Sequence, residues 1–378
     1  MRVRRWISLA AIYALSALLA LAAAEAVLRA RAPRRDGYWI FPPGLRATVR
    51  TNAATQPGIE GEARFHVNSR GLRGDEPRAG AAYRILVLGG SATECLFLDQ
   101  TEAWPQRVQE RLAKREGPRV WVGNAGRSGM TSRDHRFQAE LLLRQEPEID
   151  ALVIMAGVND LTIRLLQDES YDPRYLEDPR NRERQVLHAF TLTPESRPAA
   201  WRPVLWQALL GPAPALGSRH APEQYAVWRR RRRQAATVRE TLPDLSPALV
   251  EYAGNLQRVA EACRSRSVRL VMLTHPTLWR GELPPDEADL LWFGGVGDFM
   301  RRDVSTYYSV AALARGMALY NEALLAVCRA AGGECIDTAA LLAGGRGLFY
   351  DDCHLTERGA ERLADVVADH LASRPPGW

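Results

Sequence analysis

The stretch Tyr83-Arg-Ile-Leu-Val-Leu-Gly-Gly-Ser91 is an apolar run that ends in two glycines and a serine. A short continuous apolar run that ends at a turn signal is typical of a strand buried on both faces of a sheet. Together with Tyr83–Leu88, the chain contains four similar runs: Arg119–Val122, Ala151–Ala156, Arg269–Thr274 and Glu334–Asp337. The sequence therefore predicts a sheet of about five strands.

Amphipathic patterns with helical spacing lie between these runs. They are Trp104–Glu116, Arg136–Gln145, Pro247–Arg264 and Ala311–Ala331, and Thr356 is suited to cap a last helix, Glu357–Ser373. Strands that alternate with helices predict an α/β fold, here a three-layer α/β/α sandwich with a parallel, flavodoxin-like sheet. Ligands of such sheets bind beyond the carboxyl ends of the strands. Since Ser91, Gly129 and Asn159 follow the first three predicted strands, we expect a site at that edge.

Two parts of the chain lack this alternation. Residues 32–82 are rich in Pro, Gly and Arg and include Phe65-His-Val-Asn-Ser-Arg-Gly-Leu-Arg-Gly74, which indicates an extended lead-in with a hairpin or two. Residues 161–246 carry many Pro, Arg and Trp residues and only short helical patches such as Pro222–Arg239. This second stretch is too long for a simple strand-to-helix connection. We therefore expect an insertion that rims or covers the carboxyl edge of the sheet, together with Thr277–Val304.

An uncharged stretch, Trp6–Ala24, follows three arginines at the N-terminus. As a helix it would be about 28 Å long, close to the thickness of the hydrocarbon core of a membrane. The helical pattern continues through Glu25 without a turn, which favours an uncleaved signal anchor over a cleaved signal peptide and a secreted protein. Arginines flank both ends of the stretch and leave the orientation open, but the very short N-terminal tail favours a cytoplasmic N-terminus.

The predicted organisation follows from these patterns. We expect a single-pass membrane protein whose main domain lies outside the cytoplasm. Its three parts are an anchor (residues 1–31), an extended lead-in (32–82) and a main domain (83–374) with an insertion at about 161–246.

The composition excludes several classes of protein. With 378 residues and 46% hydrophobic content, the chain is neither disordered nor fibrous. The formal net charge is +6, but no nucleic-acid-binding motif is present, so nucleic acid is not an expected partner. The arginine run Arg229–Arg233 is interpreted as a solvated helix face or loop, or alternatively as a contact for anionic lipid or acidic glycan. The five cysteines have no metal-ligand spacing, although Cys328 and Cys335 bracket a helix-to-strand turn and could pair.

Four short motifs occur in a fixed order: Gly89–Ser91, Asn124–Gly129, Gly157–Asp160 and Asp351–His354. Each motif alone has an ordinary explanation, such as a tight turn after a strand or a capped surface turn. Together they supply what acyl transfer at neutral pH needs: a hydroxyl nucleophile, an imidazole base, a carboxylate that orients the base, and donors for the oxyanion. We therefore predict Ser91 as the nucleophile, His354 as the base and Asp351 as its partner.

This ordered set of motifs resembles the SGNH (GDSL-type) hydrolase family, and in particular its membrane-anchored bacterial members, which implies an anchor in the inner membrane and a main domain in the periplasm. The resemblance extends from about Tyr83 to the C-terminal helix. It implies an oxyanion hole formed by the N–H groups of Ser91 and Gly129 and by the side-chain amide of Asn159, with Gly126 as the alternative glycine. It also implies that the reaction needs no metal and no organic cofactor.

Several other residues lie in or near the motifs. Gly90 stands where the family's Gly-Asp-Ser signature has Asp, Asp160 is expected to cap a helix, and Asp352 does not fit the spacing of the last motif. His275 follows the fourth predicted strand and is a candidate for lining the substrate cleft. The segment that ends at Gly74 resembles one in membrane-anchored members of the family, but the residues alone assign it no role.

The expected function is that of a serine esterase that removes a short acyl group, with acetyl as the expected one, from a cell-envelope or exported carbohydrate through an acyl-enzyme. Five tryptophans in the rim segments are candidates either for stacking on sugar faces or for packing the rim onto the domain: Trp201, Trp206, Trp228, Trp279 and Trp292. Two alternatives stay open. One is an O-acyltransferase that uses the same site, and the other is a non-catalytic, membrane-tethered glycan-binding module.

Overall fold

The apolar runs form the strands of a central sheet in the structure, a computed structural model that describes residues 2–31, 37–77, 80–116, 119–194, 222–344 and 347–373. Ile85, Leu86 and Leu88 are fully buried, as expected for a strand covered on both faces. In chain order the strands are β1 (Arg46–Arg50), β2 (Glu62–His66), β3 (Tyr83–Gly89), β4 (Val120–Asn124), β5 (Ala151–Met155), β6 (Thr237–Arg239), β7 (Arg269–Leu273), β8 (Thr306–Tyr308) and β9 (Glu334–Ile336).

The helices lie between the strands, as their amphipathic patterns predict. In chain order they are α1 (Arg2–Arg31), α2 (Ser91–Glu94), α3 (Trp104–Glu116), α4 (Ser132–Gln145), α5 (Val158–Gln167), α6 (Pro179–Ala189), α7 (Pro222–Arg233), α8 (Ser246–Arg264), α9 (Pro285–Ala288), α10 (Val310–Ala330), α11 (Thr338–Leu341) and α12 (Glu357–Ser373). Helices α3 and α12 pack together, and α4, α8 and α10 form a second group. The hydroxyl of Thr356 accepts a hydrogen bond from the N–H of Gly359 at 3.1 Å, which confirms it as the cap of α12.

The main sheet has the strand order β4-β3-β5-β7-β9, and all its strands are parallel. This is the flavodoxin-like order, so the predicted α/β/α fold is confirmed. The order reverses between β3 and β5, and ligands of such sheets bind at that reversal, beyond the carboxyl ends of the strands. Ser91 lies just beyond the end of β3 at Gly89, and Asn159 lies in the first turn of α5, just beyond the end of β5 at Met155, so the topology brings two of the predicted site residues to this position.

Two helices of the inserted region differ from the sequence prediction. Helix α5 continues to Gln167, past the predicted start of the insertion at residue 161. Helix α7 ends at Arg233, not at Arg239, because Thr237–Arg239 is extended and pairs in parallel with β8. The β-branched residues Thr237 and Val238 favour this extended conformation. Residues 195–221 of the insertion, with Trp201 and Trp206, lie outside the described residues.

The lead-in contains the antiparallel hairpin of β1 and β2, with Ala47 opposite Phe65. After β2, the side-chain oxygen of Asn68 accepts hydrogen bonds from the N–H groups of Arg70 and Leu72, at 2.9 and 3.1 Å, and forms a tight turn. Arg73 then exchanges two backbone hydrogen bonds with Asn124, so this segment contacts the end of β4.

Two helices have apolar sequences of interest for a membrane. Helix α10 is long and apolar enough to cross one, but it packs against α8 and β7 and buries residues such as Leu313, Tyr320 and Leu324, as a core helix does. Within α1, Ile12–Val27 is a shorter apolar stretch. Its large apolar side chains are exposed, for example Tyr13 and Leu18. The cysteines Cys328 and Cys335, at the turn between α10 and β9, form a disulfide.

Candidate active site

The turn after β3 exposes Ser91 because its two glycines carry no side chains. A Cβ atom at Gly89 would lie 2.1 Å from Thr93 Oγ1, and one at Gly90 would lie 2.5 Å from Asn159 Nδ2. Ser91 begins the short helix α2 directly after them. Gly90 stands where the family signature has Asp. In this structure the Asn159 amide occupies the space that a side chain at position 90 would need, so glycine fits there.

The last motif brings a carboxylate and an imidazole to Ser91. His354 Nε2 lies 2.6 Å from Ser91 Oγ, and His354 Nδ1 lies 2.7 Å from Asp351 Oδ2. The turn that connects them is closed by Asp351 Oδ1, which accepts hydrogen bonds from the N–H groups of Cys353 and His354 at 3.0 and 2.8 Å. The spacing of three residues thus lets one carboxylate hold both the backbone and the ring of His354. The structure brings together all three residues that the sequence analysis grouped.

The burial of this group shapes its proton affinities. Burial opposes the charged form of His354, but the nearby Asp351 carboxylate outweighs it and holds the pKa of His354 above its ordinary value. Burial likewise acts to raise the pKa of Asp351, but the charge of His354 and hydrogen bonds from His354 and Trp292 hold that pKa below its ordinary value. Asp351 is therefore ionised at neutral pH, so His354 Nδ1 carries the proton and Nε2 faces the serine as an acceptor.

The predicted oxyanion donors lie beside the serine. Gly129 and Asn159 line the same cavity as Ser91. The φ angle of Gly129 is +80°, in the left-handed region that favours glycine. The Asn159 amide donates one hydrogen bond to the carbonyl of Met130 at 2.9 Å, which orients it, and an amide has a second N–H for a ligand. The alternative glycine, Gly126, already donates its N–H to Asn124 Oδ1 at 2.8 Å.

Two buried side chains that the sequence analysis did not predict, Glu94 and Arg73, stabilise the turn that carries Ser91, here called the nucleophile turn. The carboxylate of Glu94, the last residue of α2, accepts hydrogen bonds from the N–H of Ser128, at 2.7 Å, and from the hydroxyl of the same residue. This contact links the nucleophile turn to the loop of Gly129. The Arg73 guanidinium donates to the carbonyls of Glu94, Cys95 and Leu98 at 2.5, 2.6 and 2.7 Å. The lead-in segment therefore braces the turn that carries Ser91.

In the arginine run Arg229–Arg233, Arg230 and Arg233 are exposed, as expected for a solvated helix face, whereas Arg229 and Arg232 bind backbone carbonyls of the domain. Arg229 donates to the carbonyls of Leu290 and Tyr350 at 3.0 and 2.8 Å, and Arg232 donates to the carbonyls of Phe293 and Tyr308. Both guanidinium groups therefore form hydrogen bonds inside the protein. They attach α7 to the rim segment Thr277–Val304, to Tyr308 and to Tyr350, the residue before Asp351. The sequence could not reveal this, because it does not say which face of α7 meets the domain.

The tryptophans of the rim that the structure describes are buried. The indole N–H of Trp228 donates to the carbonyl of Met300 at 2.8 Å, and that of Trp279 donates to Asp352 Oδ1 at 2.7 Å. Trp292 lines the cavity and stacks on Trp228, with ring centroids 4.3 Å apart. For Trp228 and Trp279, packing of the rim onto the domain therefore describes their contacts better than sugar stacking does.

Asp352, which does not fit the spacing of the last motif, attaches the rim segment Thr277–Val304 to the loop that carries Asp351 and His354. Its carboxylate also accepts hydrogen bonds from the N–H groups of Trp292 and Phe293, at 2.7 and 3.2 Å. Burial and the adjacent Asp351 charge raise the pKa of Asp352 to about 6. Asp352 therefore positions the segment that carries Trp292.

Two other residues from the sequence analysis, His275 and Asp160, do not line the cavity that the structure describes around Ser91. His275 is buried, its Nδ1 lies 3.0 Å from the carbonyl of Pro276, and burial lowers its pKa to about 4. It does not line the cavity around Ser91 in the described part of the chain, so the structure does not support a substrate contact for it. Asp160 was expected to cap a helix, and it accepts the N–H of Ser132, the first residue of α4, at 2.9 Å. It thus caps a neighbouring helix and not its own.

Asp351, Cys353 and His354 bring metal-ligand atoms within 4.8 Å of one another. Burial, followed by the charges of Asp351 and Asp352, raises the pKa of Cys353 well above its ordinary value, so the thiol stays protonated and is a poor ligand. Both nitrogens of His354 are engaged by Asp351 and Ser91. The donor set fits a hydrogen-bonded catalytic group better than a metal site.

A cavity of about 360 Å³ opens around Ser91. Part of its lining is apolar or aromatic: Leu96, Phe97, Tyr225, Trp292, Phe293, Met300 and Tyr350. The rest is polar: Ser91, Ser128, Gly129, Asn159, Thr162, His188, Arg301 and His354. This volume and this mixture of surfaces are typical of a site for a small molecule.

The chain is similar to one protein family and to several solved structures. The family model of the GDSL-like lipase/acylhydrolase family matches residues 87–362, whereas no curated protein matches the chain. Similar solved structures include TesA (17% identity, TM-score 0.41, 77% of this chain and 98% of that one). They also include the acetylxylan esterase Axe2 from Geobacillus stearothermophilus (16%, 0.41, 77% and 95%) and Est24, a carbohydrate acetylesterase from Sinorhizobium meliloti (11%, 0.41, 77% and 99%).

The family match covers most of the chain and includes all four motifs in full. The resemblance inferred from the motifs is thus confirmed, and with it the expectation of a serine ester hydrolase. The chain belongs to the GDSL-like lipase/acylhydrolase family.

Proposed function

We propose that this chain is a serine esterase that removes a short acyl group, with acetyl as the expected one, from a carbohydrate of the cell envelope or of an exported polysaccharide. The observation that carries the proposal is the hydrogen-bonded series of Ser91, His354 and Asp351, with distances of 2.6 and 2.7 Å, beside a cavity that also contains Gly129 and Asn159.

In the proposed reaction, Ser91 Oγ attacks the ester carbonyl while its proton passes to His354 Nε2. The carbonyl electrons move onto oxygen, where the Asn159 amide and the N–H groups of Gly129 and Ser91 stabilise the charge. The imidazolium then protonates the leaving alcohol, and an acyl-enzyme remains. Water attacks this intermediate with His354 again as base, and the acid leaves as Ser91 regains its proton. Asp351 keeps the ring in the required tautomer throughout.

The lining of the cavity supports a carbohydrate as the alcohol part of the ester. A sugar ring has apolar C–H faces and a rim of hydroxyl groups. Aromatic side chains such as Trp292 and Tyr350 suit the first, and polar groups such as Thr162 and His188 suit the second.

The acyl length is proposed from the space next to the nucleophile. A niche of about 10 Å³ lies beside Ser91 and is closed by Phe97, Leu98, Tyr350 and Leu355. This is about the volume of one water-sized probe, which supports a very small acyl group there.

A chain-length series of model esters tests the proposal, with Ser91→Ala as the control. Activity should fall steeply from acetyl to octanoyl esters and should vanish in Ser91→Ala. A preference for octanoyl or longer chains would reject the short-acyl assignment, and turnover that survives in Ser91→Ala would reject the serine mechanism. Release of free acetate without any sugar acceptor distinguishes an esterase from an O-acyltransferase, and Ser91-dependent turnover of any kind argues against a mere glycan-binding module.

The proposed location is the periplasmic side of the inner membrane, with α1 as an anchor. The exposed apolar side chains of Ile12–Val27 support this, and the disulfide of Cys328 and Cys335 is typical of an oxidising compartment. An alkaline phosphatase fused after Trp378 should be active. An inactive phosphatase together with an active cytoplasmic reporter at the same position would reverse the topology.

A further inference from the structure

A second pair of an aspartate and a histidine borders the cavity around Ser91. His188 lies near the end of α6 and lines the cavity, and its side chain is 57% exposed. Its Nδ1 lies 2.8 Å from Asp134 Oδ1, and Asp134 is fully buried at the start of α4. This pair does not belong to the triad, which uses His354 and Asp351.

The partners of Asp134 determine which nitrogen of His188 carries the proton. Asp134 Oδ2 accepts hydrogen bonds from the N–H and the hydroxyl of Thr131, both at 2.9 Å, and Oδ1 accepts one from Gln185 Nε2 at 2.6 Å. Burial acts to raise the pKa of Asp134, but the hydrogen bond and charge of His188 and the N–H of Thr131 lower it below its ordinary value. An ionised carboxylate only accepts, so Nδ1 of His188 donates to it, and in the neutral form of the ring Nε2 is an acceptor.

A purely structural role explains His188 less well. Gln185 lies on the same helix and already binds the same carboxylate, and the amide of Gln138 donates to the carbonyl of Ala189 at 2.9 Å. The end of α6 is therefore attached to α4 without His188. A ring that were present only for packing would not be more than half exposed at the edge of a ligand-sized cavity.

We propose that His188 is a substrate-binding residue whose Nε2 accepts a hydrogen bond from a hydroxyl group on the alcohol part of the ester, with Asp134 as the residue that orients the ring. The inference rests on the proposed function and adds a recognition rule to it. Esters whose alcohol carries a free hydroxyl near the ester oxygen are preferred over esters that lack one.

The test uses two acetate esters with the same carbon skeleton, glycerol 1-acetate and propyl acetate, which differ only in the two hydroxyls. Release of acetic acid is followed by titration with the full chain in detergent. The wild type should have a higher kcat/KM for glycerol 1-acetate, by about threefold to tenfold for one hydrogen bond. In His188→Asn this ratio should fall to about one, mainly through KM, since Asn can still donate to Asp134 but has no acceptor at the position of Nε2.

Leu187→Asn is the matched control, because Leu187 is an exposed neighbour on the same helix. It should keep the wild-type ratio. A wild type without the preference, or a preference that survives in His188→Asn, would overturn the inference. So would an equal loss on both esters together with a lower melting temperature, which would indicate that His188 only stabilises the fold. None of these results depends on sugar acetates. The chain-length series and assays on acetylated sugars test the carbohydrate assignment independently, so the two proposals can fail separately.

Discussion

The indole N–H of Trp292 donates a hydrogen bond to Asp351 Oδ2 at 3.0 Å. The same oxygen accepts the hydrogen bond from His354 Nδ1 at 2.7 Å. Trp292 thus helps to keep the triad carboxylate ionised, and it also forms part of the cavity wall. One residue of the rim connects the substrate cavity with the proton chemistry of the site.

Trp292→Phe should lower kcat/KM about tenfold. The variant removes the N–H donor to Asp351 while it keeps an aromatic ring in the wall, and a hydrogen bond to a charged group contributes about 1.5–3 kcal/mol. Trp228→Phe is the matched control, because its indole N–H binds the carbonyl of Met300 and not the triad. Steady-state kinetics on an acetyl ester and urea unfolding of both variants make the comparison. Equal kcat/KM in the two variants would contradict a specific role for Trp292.

Ser91 should react with a fluorophosphonate probe, because His354 Nε2 at 2.6 Å can take its proton. Ser91→Ala should abolish the labelling, and His354→Ala should lower its rate strongly. Labelling is followed by gel fluorescence on folded protein. If Ser91→Ala is labelled as fast as the wild type, the nucleophile is another residue.

Asn159→Ala should lower kcat about a hundredfold or more and leave KM nearly unchanged. The reason is that an oxyanion donor acts on charge that develops in the transition state and is absent from the bound ester. Initial rates over a range of ester concentrations separate the two constants. An increase in KM alone would instead indicate that Asn159 binds the substrate in its ground state.

The activity should depend on pH through His354. The neutral ring is the base and its pKa is held above the ordinary value, so kcat/KM should rise with pH and reach half its maximum above about 6.5. Asp351→Asn removes the main influence that raises this pKa while burial still lowers it. The residual activity of that variant should therefore rise at lower pH than in the wild type. A transition that stays at the wild-type pH would show that another group controls the profile.

Arg73→Met should destabilise the protein and slow the labelling of Ser91. Its fully buried guanidinium satisfies three backbone carbonyls of the segment after Ser91, and a buried acceptor without a partner costs about 1–3 kcal/mol. Urea unfolding measures the loss of stability. The labelling rate per folded molecule measures whether Ser91 is still correctly positioned in the protein that remains folded.

Arg70→Met in the same segment provides the control for Arg73. Arg70 forms ion pairs with Glu146 and, at 2.9 Å, with Glu148, whereas the three carbonyls after Ser91 are bound by Arg73. Arg73→Lys should recover part of the labelling rate, because one ammonium group can reach some of the carbonyls. Identical behaviour of Arg70→Met and Arg73→Met would refute the bracing role.

The sequence by itself determined the five strands of the main sheet, the longer helices between them and the order of the motifs. Helices α3 and α12 have the predicted ends, because amphipathic spacing and a capping residue such as Thr356 are local properties. Ser91 and Asn159 could be expected at one edge, since both follow buried strands and parallel strands end on the same side of a sheet.

Only the tertiary structure decided which other groups support these residues. Arg73, Glu94 and Trp292 act through contacts with partners that are distant in the sequence, and no local pattern encodes a guanidinium that meets carbonyls or an indole that meets a carboxylate. For the same reason His188, an ordinary helix residue in the sequence, borders the cavity, whereas His275 follows a strand of the sheet and yet lies buried. The direction in which a side chain points depends on how the rim packs on the sheet. That packing is a property of the whole fold.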